Sequence, residues 1–171
     1  MLPVRNCTKH GLLVVLCTLA LVAFVGCKNE EKESETFVGN VSRPAWTAPA
    51  DYDYTSSMTA VVKVDLKAQY PVTGKDFVLN DSDLLAAFSG ETCLGVVEPL
   101  SLEEDPAETL FFLYITAPSS LQGGEGGKLS LRYYSTHYKN LFEAKDAINF
   151  VNDAHLGTVD EPLVPSFVVV K

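Results

Sequence analysis

Short β-favouring runs, each stopped by Gly, Pro, Asn or Asp, recur along this chain, and no long stretch carries apolar residues at helical spacing. That punctuation narrows the fold to sheets joined by turns. The runs are Met58 to Leu66, Leu84 to Ser89, Thr92 to Glu98, Thr109 to Thr116, Lys128 to Ser135, Asn140 to Glu143, Ile148 to Val151 and Phe167 to Val170. In the first, Val62, Val64 and Leu66 alternate with Lys63 and Asp65, the period-two pattern of a strand with one wet face. About eight short strands in a chain of this length predict an all-β, antiparallel β-sandwich.

Two hairpins follow from spacing. Only Gly90-Glu91 separates Leu84–Ser89 from Thr92–Glu98, and Thr136 to Lys139 join Lys128–Ser135 to Leu141-Phe142-Glu143. Both faces of the first run are apolar, with Leu84, Ala86 and Phe88 on one side and Leu85 and Ala87 on the other, so this strand is expected to be central and covered twice. In the other hairpin Leu129, Leu131 and Tyr133 share a face opposite Lys128, Ser130, Arg132 and Tyr134, which predicts a wet outer side. Such a sandwich resembles the immunoglobulin folds.

The amino terminus has a different composition. Arg5, Lys9 and His10 precede an uncharged run of 15 residues, Gly11 to Val25. A membrane-spanning helix needs about 20 apolar residues and a signal-peptide core about 7–15, so the length predicts a signal peptide. Phe24-Val25-Gly26-Cys27 resembles the lipobox of bacterial lipoproteins, with Phe24 where Leu is usual. The resemblance implies cleavage after Gly26 and acyl chains on Cys27; ordinary secretory cleavage and a retained anchor are the alternatives. Residues 1–26 would then be the signal peptide, 27–45 an acylated cysteine with a flexible acidic tether, and 46–171 a single sandwich domain. Two or three long acyl chains, at about 0.8 kcal/mol per buried methylene, would hold such a protein stably to a membrane.

Two of the 13 basic side chains and none of the 22 acidic ones precede Cys27, so the remainder carries 11 against 22, a net charge of −11. A surface so acidic repels nucleic acid, which is set aside as a partner. The segment Lys28 to Glu35 resembles the acidic tether behind the lipid-bearing cysteine of Bacteroidetes surface lipoproteins, although a charged spacer with too few apolar residues to order itself reads the same.

Cys7 and Cys17 leave with the signal and Cys27 is consumed by lipid, so Cys93 is alone. One thiol makes neither an internal disulfide nor a thiolate metal cluster, and in the β run Thr92–Val97 it is expected as a small buried hydrophobe. From Thr36 to Ser57 the prolines Pro44 and Pro49 break any helix, leaving an extended lead-in. Trp46, Tyr52 and Tyr54 in that segment could stack on a sugar ring, or they could pin the lead-in onto the domain. Tyr134 and Tyr138 are the other candidate rings for ligand stacking.

The segment Asn80-Asp81-Ser82-Asp83-Leu84-Leu85-Ala86-Ala87-Phe88-Ser89-Gly90-Glu91-Thr92-Cys93-Leu94-Gly95-Val96 resembles the D-x-LAAF-x-G-x-x-C-x-GV stretch of a module that recurs in Bacteroidetes surface lipoproteins. Asp51-Tyr52-Asp53-Tyr54 with Met58-Thr59, the Gly-rich turn before Lys128 to Tyr134, and His155-Leu156-Gly157-Thr158 before Pro162 are similar in order and spacing, so the likeness covers roughly 46 to 171. It implies a β-sandwich at the cell outer membrane, exposed at the surface, and it implies no site residues.

Three clusters carry side chains or glycines that chemistry could use. Asn80-Asp81-Ser82-Asp83 lacks the full calcium-loop pattern and reads as an Asx-rich turn. Glu103-Glu104-Asp105 and Glu108 around Pro106 read as a solvated loop rather than a glycosidase pair. Gly123 to Gly127 lacks the following Lys-Ser or Lys-Thr of a phosphate loop. His137 and His155 stand in turn-like contexts, with no evident nucleophile beside them. No metal, cofactor or catalytic residue is therefore expected. The expected function is a non-catalytic, membrane-anchored lipoprotein for adhesion, assembly or accessory binding of a surface protein or extracellular polymer, the alternative being a glycan-binding lipoprotein of a polysaccharide-uptake system.

Overall fold

The computed structural model describes residues 38–50, 54–66, 78–102, 109–121 and 127–170. Alternation along the chain sets the layers. Met58, Ala60 and Val62 of β1 (Ser56–Val62) lie opposite Ile115, Leu113 and Phe111 of β5 (Thr109–Ala117), so both strands turn the same apolar face inward. Beyond β5 pairs β4 (Leu100–Ser101), and beyond β1 pairs β9 (His155–Leu156), completing a first sheet in the order β4-β5-β1-β9.

The second sheet runs β10-β7-β6-β2-β3, from β10 (Phe167–Val169) through β7 (Asn140–Ala144), β6 (Lys128–Ser135) and β2 (Leu84–Ser89) to β3 (Thr92–Val97), with β8 (Ile148–Asn149) on the start of β6. Its inner residues Leu85, Ala87, Leu94, Leu129, Leu131, Tyr133, Phe142 and Phe167 join those of the first sheet in one continuous core. The architecture is thus all-β, two sheets packed face to face, as the turn-punctuated sequence required. Each run foreseen from the sequence overlaps a strand, but β1 ends at Val62, short of the foreseen Leu66, β8 is only Ile148–Asn149, and two-residue strands at Leu100–Ser101 and His155–Leu156 were not foreseen.

Among the described residues every ladder is antiparallel except one, which departs from the all-antiparallel expectation. β9 lies parallel to β1, Thr59 opposite His155 and Ala60 opposite Leu156, and Val62 bridges Leu163 in the same sense. A two-residue strand carries too little pattern to be read from sequence, and its pairing is set by Asn152 and Ala154, which hold Ser57 and Thr59 from the side.

Both foreseen hairpins form. β2 and β3 turn at Gly90-Glu91, where Gly90 takes φ 58°, the left-handed value a two-residue hairpin asks of its first central residue. β6 and β7 turn through 136–139, with Lys139 at φ 47°. β2 is buried on both faces, as its double apolar pattern predicted.

The outer face of β6 is drier than expected: Lys128 is exposed, but Tyr134 is only 3% exposed. The cause is the lead-in, which is extended and crosses this side of the second sheet. Gly39 and Val41 donate backbone bonds to the carbonyls of Tyr138 and Lys139, and the Tyr134 hydroxyl donates to the Val41 carbonyl at 3.1 Å. Further on, Arg43 reaches the Ser82 carbonyl and Glu98, and Trp46 meets Phe88 edge-on with ring centroids 5.4 Å apart.

Candidate functional site

The outer face of the first sheet gathers side chains that the core does not use. In β5 the residues between the inward Phe111, Leu113 and Ile115 point outward, leaving Phe112 38% and Tyr114 51% exposed. Register places Tyr114 beside Thr59, and Thr59 beside His155, so phenol, hydroxyl and imidazole form a row across three adjacent strands. At about 4.8 Å between strands the row spans roughly 10 Å. Thr59 Oγ1 and His155 Nδ1 are 2.6 Å apart, a hydrogen bond that fixes both groups. Phe112 lies in the next row beside Val61, and Leu100 on β4 is exposed at the margin. The result is an apolar strip edged by polar groups on a hydrogen-bonded sheet.

The alternation in Thr109 to Thr116 carries this signal, because Phe112 and Tyr114 occupy the positions opposite the aliphatic ones. The β-favouring composition of the run predicts a strand but does not by itself assign a face to each ring. In the sequence His155 stands in a turn-like context; its place beside Thr59 depends on a pairing 96 residues long.

The five rings singled out from sequence do not gather into one exposed stack. Tyr134 is buried beneath the lead-in, and Tyr54 is partly buried against the core. Trp46 is half-buried on Phe88, and Tyr138 is half-buried with His137 edge-on at 4.7 Å. Tyr52 lies outside the described residues, as do Cys27, the signal segment, the Glu103 to Glu108 loop and Gly123 to Gly126.

The remaining polar clusters act within the fold. Asn80 Oδ1 accepts from the Ser82 amide, the Asx turn foreseen for that stretch, and Asp83 accepts from the amides of Asn80 and Thr136 and from the Tyr133 hydroxyl at 2.6 Å. No group of three metal-ligating side chains occurs among the described residues. Arg132 lies over the Phe88 ring at 4.4 Å and forks onto Glu91 at 3.1 and 3.2 Å. The hydrogen bond and charge of Arg132 hold the Glu91 carboxyl below its usual value, and Glu91 in turn raises the Arg132 guanidinium. Cys93 is half-buried, opposite Phe88, and burial pushes its thiol up, which disfavours the thiolate.

Among the described residues no helix is long and apolar enough to cross a membrane. The chain matches no protein family, no curated protein and no solved structure.

Proposed function

We propose that this chain is a non-catalytic, membrane-anchored surface lipoprotein, held at the cell outer membrane by acyl chains on Cys27 and serving as an adhesion, assembly or accessory binding module. The observation that carries the binding part is the exposed Phe112–Tyr114 strip. Rings held outward on a sheet, with fixed hydrogen-bonding groups at their edge, offer a contact surface without any reorganisation on binding. The anchor rests on the lipobox likeness of Phe24 to Cys27, and the Bacteroidetes origin on the likeness of Asn80 to Val96. An immunoglobulin-like character for the sandwich belongs to the same proposal, supported by its two facing sheets.

Bacterial cells that express the chain and are fed labelled palmitate are expected to place label on it, and Cys27→Ser is expected to abolish that label. Label retained in the variant, or missing from both, overturns the anchor.

A second reading, a glycan-binding lipoprotein, is favoured by the row Tyr114, Thr59 and His155, where a ring face lies beside hydrogen-bonding groups. On a glycan array probed with the whole chain in detergent micelles, this reading expects saturable binding that Tyr114→Ala removes. Binding lost instead in Trp46→Ala would move the site to the lead-in, and silence across the array would overturn the reading.

A further inference from the structure

We propose that residues 39–46 form a latch that opens as a unit ahead of the sandwich and switches the outer face of the second sheet between covered and bare. The latch stands apart from the core: among the described residues, no hydrophobic side chain of 39–46 belongs to the core cluster or is packed against it. None of those residues is itself buried, yet Leu84, Ala86, Phe88 and Tyr134, which form the outer face along its path, are all at most 5% exposed. Those four also stand on the face away from the core. Latch and seat are therefore a separate contact layer, joined to the sandwich through the sheet alone.

The fastenings are few and mostly at the surface. No strand forms between 38 and 50, and the two backbone bonds from Gly39 and Val41 reach a turn rather than a strand. Among the described residues, further fastenings are the Tyr134 hydroxyl on the Val41 carbonyl, the Arg43 contacts with Ser82 and Glu98, and the Trp46–Phe88 edge contact. The Arg43–Glu98 pair, 2.6 Å apart, is exposed on both sides and weakens as salt rises. Segments with few buried contacts open locally at free energies below that of global unfolding, provided no core contact must break. Here none must. Opening leaves both sheets and the continuous core in place and uncovers Tyr134 and the edge of Phe88 that Trp46 meets.

The chain carries its own reporter, because Trp46 is the single tryptophan and it sits in the latch. The test is a urea titration of the whole chain in detergent micelles, followed by tryptophan fluorescence for the latch and far-ultraviolet circular dichroism for the strands. The expected result is a fluorescence transition at lower urea than the dichroism transition. Adding 1 M NaCl, on the order needed to shrink the screening length to about 3 Å, should lower the fluorescence midpoint relative to the dichroism midpoint. Tyr134→Phe, which removes the bond to Val41, should do the same. Coincident transitions that stay coincident in high salt, or a fluorescence transition that follows the loss of strands, overturn the latch; the salt arm decides the matter even if the variant fails to fold.

Discussion

Asp83 is fully buried, and its two carboxylate oxygens accept from three donors supplied by places far apart in sequence: Asn80 in its own turn, Thr136 after β6, and the Tyr133 hydroxyl inside the core. A buried carboxylate left without partners would cost several kcal/mol, so this residue ties the entry of β2 to the exit of β6. Among the described residues no buried side-chain polar atom lacks a partner. Burial first, and the Asp83 charge second, push the Tyr133 hydroxyl far above the ordinary phenol range. The unfolded chain therefore releases that proton at lower pH than the folded one. The contribution to stability is present in full below about pH 10 and shrinks as pH rises beyond it, by about 1.4 kcal/mol per unit. Urea melts at pH 9 and pH 11 should show a steeper loss for the native chain than for Tyr133→Phe; equal losses would remove this hydroxyl as the source. Reading the sequence found the Asx turn at Asn80, because its partners are local. It could not find Tyr133 as the mate of Asp83, which lies 50 residues away.

At the level of elements, the β2–β3 hairpin was legible from its two-residue turn and its apolar run, but its second strand holds a bulge that was not. The register shifts between Ala87 and Phe88, leaving Leu94 as the extra residue, so that Leu94 enters the core and Cys93 faces outward with Phe88. That shift is why Cys93 is half-buried rather than the small core residue expected of it. Gly95, next along, meets the backbone of β5: a Cβ there would press on the Tyr114 carbonyl oxygen. Strand β3 can lie this close to the first sheet only with no side chain at that point. Gly95→Ala should lower stability by about 2 kcal/mol, the range of overpacking in a closed site. Gly90→Ala, where the added carbon meets open space and only the positive φ is strained, should lower it by about 1 kcal/mol. Urea denaturation of both variants checks the order, and a Gly95→Ala variant as stable as the native chain would mean that β3 can shift away from β5.

For the molecule as a whole, strand positions and the two-sheet character were written in the alternation of apolar residues, whereas the order of strands was not, because alternation says which face is buried and nothing about which neighbour is paired. The exposed Phe112–Tyr114 strip could have been read from alternation alone; its polar edge could not, since His155 reaches it through the parallel ladder of β9. That ladder also bears on time. Strand β1 pairs with β5, and its other side is closed by Asn152, His155, Leu156 and Leu163, with contacts spanning 95 to 101 residues. β1 gains the partner for its second edge only by closing a loop of close to a hundred residues, and the loop entropy must be spent before that ladder returns anything. The chain thus belongs with the slow, non-local folders that reach their native state in milliseconds to seconds. Until that loop closes, one edge of the first sheet stays open to any passing strand.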